Sequence, residues 1–483
     1  MLGASGLTWR HAFQMVFSPL RFMTSMAKRH GDLTFFRLFG RRGYLLNHPD
    51  LIAQVLIHEA DSFEKLPRQI NVVRQIFGNG ILVTEGQRWK LDRQHLQRAF
   101  GKSLFANNVS ATVQCTRRML DRWKNKDQIS MVQEMSRLTA EISSVMLVGE
   151  DDPAIIDRLS QAVMTLSDEF SSEMNSAFRL PDWVPFTNKR RKQKSIKFYN
   201  DLIDQLISSR RTKVIRRDDF LQYLIDQPQP EGTGPEFVRD QLLTILIAAY
   251  HATSMALVWI FYLLETHPDV EQRLIDELVH LSPVERHVPE QVLKLEYLQM
   301  VIAESLRLYP PAWALFARRS KREVQMRGCR IAAGGWFYIS PFVTHRSELY
   351  FPKPLKFDPE RFSRERVHEI PEYAYFPFGL GGRSCIGSRL ALDQLQLITA
   401  TIIERFLLRR PDPKTEPRLI AKLALRPKGD FCMNIQPSPL SEWSANPASA
   451  GQGVLDDTDD TETGEIVKSD HHDGAFAHKF YSV

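Results

Sequence analysis

The chain has 483 residues, of which 43% are hydrophobic and 25% are charged, and its formal net charge is +6. This balance is typical of a globular protein. Its four cysteines lie far apart and follow no zinc-site spacing, which excludes a disulfide framework and favours a reducing compartment.

The N-terminal region carries no recognisable targeting segment. Trp9 and Arg10 follow a short uncharged start, and Arg21, Lys28 and Arg29 interrupt the sequence before any long apolar run. We therefore expect neither a signal peptide nor an N-terminal membrane anchor. The sequence predicts a cytoplasmic protein.

The body of the chain has mainly helical patterning. From about residue 90 to residue 307, apolar residues recur at three- and four-residue spacing. A strand-like run at residues 335–340 follows a turn-like Ala-Gly pair. The sequence predicts a mainly α protein with small β-sheets.

One apolar segment allows two interpretations. Residues 242–264 carry no formal charge over 23 positions, which is long enough to span a bilayer. His251 and Thr253 lie within the segment, while Pro235 and Pro268 bound a helix of about thirty residues. We expect a buried central helix and no integral membrane span, because polar groups are costly in lipid.

The C-terminal region differs in composition from the rest. From Pro439 onward there are nine Asp/Glu and two Lys/Arg residues, so this part carries −7 and the remainder +13. We interpret residues 1–437 as one catalytic domain and residues 438–483 as an acidic, disordered tail. The basic body predicts an acidic partner, or a tail that folds back on it.

Residues 376–387 read F-P-F-G-L-G-G-R-S-C-I-G. Glycines permit close approach of the backbone to a large flat ligand. A helical pattern follows Gly387, so Cys385 lies just before a helix N-terminus, where the helix dipole favours a thiolate. The spacing of Phe378, Gly381, Cys385 and Gly387 resembles the haem-binding loop of the cytochrome P-450 family.

The resemblance implies a fold in which haem lies between the long central helix and the loop of the cysteine ligand. Cys385 would be the metal ligand, and the cofactor would be haem b (iron protoporphyrin IX). Phe378 and Gly387 would contribute to the haem-binding loop. A thiolate ligand favours O–O bond cleavage. The type expected is the soluble bacterial one, without an N-terminal anchor.

Other signatures of the family follow in the expected order. Glu304 and Arg307 form an E-x-x-R pair, and Arg361 in F-D-P-E-R-F matches the third member of the family's structural network. Five further positions match haem-binding residues, which place cationic and aromatic groups around the two haem propionates. They are Trp89, Arg93, Arg318, His345 and Arg383.

The central helix departs from the family pattern at the acid–alcohol pair that relays protons during oxygen activation. Residues 248–253 read A-A-Y-H-A-T, so His251 replaces the acid and Ala252 replaces the alcohol. His251 and Thr253 could rebuild a catalytic relay, or a polar group of the substrate could fill the gap beside Ala252. Alternatively, the reaction needs no relay, or His251 faces away from the site and only supports the packing of the helix.

The resemblance implies a monooxygenase that hydroxylates or epoxidises a hydrophobic small molecule such as a terpenoid, fatty acid or polyketide. An apolar set agrees with such a substrate, namely Phe170, Met174, Phe178, Leu180 and Trp183. No flavin, nicotinamide or iron–sulfur motif is present, so electrons would come from a ferredoxin with its reductase or from a flavoprotein reductase. We expect a monomer that binds no nucleic acid. The alternatives are a peroxygenase, an isomerase or dehydratase, a haem-based sensor and a membrane protein.

Overall fold

The computed structural model describes residues 8–38, 40–175, 187–212 and 217–444. Within these ranges the protein is mainly helical with small sheets, which confirms the predicted fold class. The helices are α1 Thr8–Phe17, α2 Pro19–His30, α3 Pro49–Ala53, α4 Pro67–Phe77, α5 Gly86–Ala99, α6 Lys102–Trp123, α7 Met131–Val148, α8 Pro153–Asn175, α9 Thr187–Thr212, α10 Phe220–Asp226, α11 Phe237–Thr266, α12 Pro268–Val279, α13 Pro289–Val292, α14 Glu296–Leu308, α15 Pro341–Thr344, α16 Ser388–Arg405 and α17 Pro439–Ser444.

The strands are short and form small sheets at the edge of the helical body. They are β1 Leu33–Leu38, β2 Arg41–Leu46, β3 Phe63–Lys65, β4 Gln128–Ser130, β5 Arg318–Ser320, β6 Val324–Met326, β7 Cys329–Ile331, β8 Trp336–Ile339, β9 Phe406–Arg409, β10 Leu419–Ala421, β11 Leu425–Pro427 and β12 Cys432–Pro437. The largest sheet has the order β1-β2-β8-β5-β3, in which β2 and β8 are parallel and the other pairs antiparallel. The strand predicted at residues 335–340 is β8.

Helix α11 forms the centre of the fold. It begins two residues after Pro235 and ends two residues before Pro268, the first residue of α12. Both prolines lie outside α11 because proline suits the first turn of a helix but not its interior. It packs against α7, α9, α14 and α16. Helix α11 is long and apolar enough to cross a bilayer, but 83% of its most apolar window is buried inside the protein. The prediction of a buried central helix is confirmed.

The folded body extends past the predicted boundary at residue 437. Residues Pro439–Ser444 form α17, which packs against α16, and Ser438 and Leu440 are each 2% exposed. The buried leucine ties this helix to the core through apolar contact. The predicted boundary is therefore corrected to residue 444, and residues 445–483 lie outside the described residues.

Candidate active site

The cysteine loop is shaped by backbone that only glycine adopts easily. Gly379 and Gly381 have φ values of 80° and 69°, in the left-handed region. A side chain at Gly381 would also collide with the carbonyl oxygen of Leu56. The Cys385 N–H donates to the Phe378 carbonyl at 2.9 Å, which closes the loop directly before α16.

The Cys385 side chain faces an internal space. Cys385 lies deep within the fold, yet its side chain is accessible to solvent, so the accessible surface is that of a cavity. Burial raises the pKa of the Cys385 thiol, while the Gly387 N–H and the Arg93 guanidinium act in the opposite direction. The N-terminus of α16 therefore does not lower the pKa of Cys385 enough to offset the effect of burial. A bound metal ion would deprotonate the thiol.

Helix α11 also has an accessible face in the interior. Ala248 and Ala252 are exposed although their neighbours Tyr250, His251 and Thr253 are buried. Residues four apart share one face of a helix, so the two alanines border the same space. Helix α11 packs against α16, and the cysteine loop directly precedes α16, so the small-residue face and the loop belong to neighbouring parts of the fold.

Two arginines of the predicted set lie beside the cysteine loop. The Arg383 guanidinium lies 3.9 Å from the centroid of the Trp89 ring and donates to Thr84 O at 2.8 Å. Arg93 donates through Nη1 to Ser384 O at 2.9 Å, while its buried Nε has no protein partner. Burial lowers the pKa of both guanidinium groups.

A third arginine lies on β5. Successive side chains of a strand point to opposite sides, which places Arg318 inward at 9% exposure and leaves Arg319 to pair with Glu64. Burial lowers the pKa of Arg318 to about 10, and its Nη1 donates a hydrogen bond to the Phe316 carbonyl at 2.5 Å. The side chains of Arg318 and Arg319 therefore lie on opposite sides of β5.

Lys65 joins this group and was missed by the sequence reasoning. It is the antiparallel partner of Arg318 in the β3–β5 register and is 6% exposed. Burial lowers the pKa of Lys65 to about 7, with Arg383 acting in the same direction. A lone lysine in a three-residue strand resembles many surface lysines, so only its pairing with β5 could have revealed it.

The arrangement of charge fits a dicarboxylate group such as haem. Glu85 pairs with Arg383 at 2.6 Å and lies 3.9 Å from Lys65. Glu85 interacts with three cationic side chains, Lys65, Arg318 and Arg383. A fourth cation, Arg93, lies near Arg383. Buried cations in excess require anionic partners, which two propionates would supply.

His345 belongs to the scaffold rather than to this cationic group. It has no exposed surface, and its Nε2 accepts the N–H of Phe376 at 3.0 Å. Its carbonyl accepts from Arg307, which also pairs with Glu304 at 2.6 Å. Arg361 completes this buried network by donating to Glu304 at 3.2 Å. Its Nδ1 is buried without a protein partner, so a contact of His345 with a propionate stays a prediction.

His251 and Thr253, the two candidates for the proton relay, both form hydrogen bonds away from the face of α11 that carries Ala248 and Ala252. The Nε2 atom of His251 lies 3.0 Å from Ser167 Oγ on α8, and its Nδ1 is buried without a protein partner. Burial lowers the pKa of His251 to about 4, and Arg426 contributes in the same direction. Thr253 donates its hydroxyl to Ala249 O at 3.0 Å, within its own helix. Neither interaction directs a donor toward Ala252.

The predicted substrate residues Phe178, Leu180 and Trp183 lie outside the described residues. The preceding helix α8 is tied to the C-terminal strands by ion pairs. Asp168 of α8 pairs with Arg426 at 2.5 Å and with Lys422 at 3.8 Å. These ion pairs and the Ser167–His251 contact hold α8 against α11 and the β10–β11 hairpin.

Comparisons with known proteins agree with this geometry. A family model described as Cytochrome P450 matches residues 8–433. Cyclooctat-9-en-7-ol 5-monooxygenase of Streptomyces melanosporofaciens is 32% identical over 419 residues, covering 86% of this chain and 89% of the relative. Cyclooctatin synthase of the same organism is 30% identical over 418 residues, covering 84% and 90%. Pentalenene oxygenase of Streptomyces avermitilis is 28% identical over 423 residues, covering 85% and 92%.

Proposed function

The chain belongs to the cytochrome P450 family and is a monooxygenase, and from this premise we propose that it hydroxylates or epoxidises a cyclic terpenoid. The observation that carries the proposal is the loop of Cys385, which directly precedes α16, a helix packed against α11 with its accessible Ala248 and Ala252. The relatives named for a cyclooctatenol and for pentalenene support the substrate class. A fatty acid or polyketide would be the alternative substrate.

The residues around the cavity fit haem b as the cofactor. Cys385 would hold the iron, and Lys65, Arg93, Arg318 and Arg383 would neutralise the propionates. Haem held by a thiolate supplies the activation of O₂, which the electron-rich sulfur promotes. In the overall reaction, one oxygen atom enters a C–H or C=C bond of the substrate and the other leaves as water, with two electrons and two protons consumed.

The protons are supplied at Ala252 by a polar group of the substrate or by water that it holds. Ala252 is exposed on the cavity face, whereas His251 and Thr253 donate or accept elsewhere. A donor must lie within hydrogen-bond reach of the atom it protonates, directly or through one water. A relay through His251 and Thr253 is the second possibility.

The relay has a matched test. We expect Ala252→Thr to raise the fraction of reducing equivalents recovered as product when the substrate lacks a hydroxyl group. Ala252→Val, which has the same size without the hydroxyl, should not do so. If Thr253→Val or His251→Gln lowers this fraction several-fold in the parent enzyme, the protein relay is the correct account instead.

The protein would receive electrons from separate proteins. P450 enzymes generally use such redox partners, and we propose an acidic ferredoxin with its reductase, or a flavoprotein reductase, because the body outside the tail is basic. We further propose that the enzyme acts as a monomer in the cytoplasm, with residues 8–444 as one catalytic domain. Burial of α11 inside the fold supports the absence of an integral span.

The decisive experiment is the reduced carbon-monoxide difference spectrum. The wild type should show the thiolate-ligated signature, and Cys385→Ser should lose it while retaining the circular dichroism of the folded protein. A correctly folded, haem-loaded wild type without that signature would contradict the proposal.

The loss of the alcohol at Ala252 favours one second candidate, a haem-thiolate peroxygenase or an isomerase that needs no proton relay. Product formed with peroxide alone, or turnover without any reductant, would identify this class. Product that requires both O₂ and a reductase system would support the monooxygenase.

A further inference from the structure

An open groove lies between α6, α13 and α16. It has a volume of about 920 Å³, which is the size of sites that hold small organic molecules. Its walls are mostly apolar and come from α6, from the turn before it and from α13 with the residue after it. The main apolar residues are Phe100, Phe105, Val109, Val113, Pro289 and Leu293. Neither Cys385 nor the cations around Glu85 line this groove, so it is separate from the candidate active site.

One carboxylate lies deep in the groove. Asp393 of α16 lines the groove although it is only 6% exposed, so its charge is largely withdrawn from bulk water. Burial raises the pKa of Asp393 to about 6, while Arg389, one helical turn earlier, acts in the opposite direction. Within the part of the chain that the structure describes, this carboxylate accepts no hydrogen bond. A buried carboxylate is costly without a cation or donor as partner, and the groove gives such a partner access to it.

The other charged side chains of the groove are more accessible to solvent. Arg389 is exposed, and its guanidinium lies 5.0 Å from the centroid of the Phe105 ring. Glu290 of α13 is exposed and Arg117 of α6 is partly exposed. Among the charged residues that line the groove, Asp393 is therefore the buried one, and its charge governs what can bind at the apolar centre.

We propose that this groove binds a small organic cation, an ammonium group attached to an apolar body, with the ammonium group at Asp393. The apolar body would lie against the phenylalanine, valine and leucine side chains of the walls, and an aromatic ring such as Phe100 attracts a cation through its face. An anionic ligand would place its charge against the buried carboxylate. A neutral apolar ligand would cover the carboxylate and leave it without a partner.

The test is titration calorimetry of the full-length holoenzyme with benzyltrimethylammonium at neutral pH. The quaternary nitrogen of this probe has no lone pair, so it cannot coordinate the haem iron. Asp393→Asn, which keeps the size of the side chain and removes its charge, should weaken binding at least about tenfold. Val109→Trp should fill the groove and abolish detectable binding. Phenylacetate, which is similar in size but anionic, should not bind.

The matched control is Glu290→Gln, which removes a carboxylate at the exposed edge of the same groove. Because exposed charges interact weakly, this variant should bind the probe within about twofold of the wild type. Asp393→Asn and Glu290→Gln should both retain the circular dichroism and the haem spectrum of the wild type. If Val109→Trp does not fold, the comparison of Asp393→Asn with Glu290→Gln decides the outcome.

The pH dependence of binding provides a second readout. Asp393 attracts the cation only when it is ionised, so the affinity of the wild type should fall roughly tenfold per pH unit below about pH 6. The affinity of Asp393→Asn should not show this fall. Arg117 and Arg389 keep their charge throughout this range, and the same titration of Glu290→Gln separates any contribution of Glu290.

Three results would overturn the proposal. The first is a wild type that does not bind the cation. The second is an Asp393→Asn variant, or a folded Val109→Trp variant, that binds the cation as tightly as the wild type does. The third is phenylacetate that binds as tightly as the cation, which would assign the groove to its arginines instead.

Discussion

Arg318 and Arg319 are adjacent in the chain but have opposite surroundings. Arg318 is buried beside Lys65 and near the loop of Cys385, whereas Arg319 is on the outer side of β5 with Glu64. A buried guanidinium that meets a carboxylate forms a strong, charge-assisted hydrogen bond. The two residues therefore provide a matched pair for testing the proposed propionate site.

We predict that Arg318→Leu accelerates the transfer of haem from the protein to an acceptor apoprotein. A hydrogen bond to a charged group contributes about 1.5–3 kcal/mol, so retention should fall roughly tenfold to a hundredfold. Arg319→Leu, which removes the same charge one residue away, should leave the transfer rate near that of the wild type. Equal rates for the two variants would remove Arg318 from the site.

His251 predicts a specific pH dependence of stability. Burial lowers its pKa to about 4 in the folded protein, against about 6.5 in an unfolded chain. Between these values the unfolded chain binds the proton more readily, so the free energy of unfolding falls as the pH falls from about 6.5 to about 4. The loss attributable to this residue is about 3 kcal/mol.

The measurement is denaturant unfolding of the wild type and His251→Gln across this pH window. The glutamine cannot titrate, so the difference in unfolding free energy between the two proteins should change by about 3 kcal/mol between about pH 6.5 and about pH 4. A difference that stays constant from pH 7 to pH 4 would show that His251 does not carry the effect.

Helix α14 shows how one element organises the scaffold. Its inner face places Glu304 and Arg307 with no exposed surface, and Arg307 reaches carbonyl oxygens of His345, Pro354 and Lys356. Since that segment leads to the cysteine loop, the network connects α14 to the chain that presents Cys385. Its outer face places Glu296 in an exposed pair with Arg364.

We predict that Glu304→Ala lowers the free energy of unfolding by about 3–5 kcal/mol, because two buried arginines lose their carboxylate. Glu296→Ala, at the start of the same helix, breaks an exposed pair and should cost no more than about 1 kcal/mol. Urea unfolding of both variants makes the comparison. Similar losses for the two would mean that burial of the network contributes little.

Charge is unevenly distributed over the whole molecule. Residues 445–483 contain eight Asp/Glu and two Lys/Arg, so they carry −6 and the remainder carries +12. Since α17 with its buried Leu440 precedes this segment, the segment can be removed without cutting the packed body. Removing this segment should strengthen the long-range attraction between an acidic partner and the basic body.

Deleting residues 445–483 should tighten binding of an acidic [2Fe–2S] ferredoxin roughly twofold to tenfold at low ionic strength, with the effect vanishing as salt screens the charges. The unfolding midpoint should not change. Titration calorimetry at low and high salt provides the measurement. Unchanged affinity at low salt would show that the acidic segment does not compete for the basic body.

Several features were predictable from the sequence because they depend on local patterns. The family and the Glu304–Arg307 pair follow from motifs, as does the proposal of Cys385 as the ligand. Pro235 and Pro268 bound the central helix closely. The helix Pro439–Ser444 lies within the segment predicted as tail, because a six-residue helix held by one buried leucine has too little local signal.

The sequence by itself determined the family, the fold class and the absence of an alcohol at Ala252. Only the tertiary structure decided that Lys65 joins Arg318, that His345 supports the scaffold and that His251 contacts Ser167 on α8. It also decided that burial raises the pKa of Cys385. The physical reason is that identity and spacing are local properties, whereas burial, pairing and desolvation depend on which distant segments pack together.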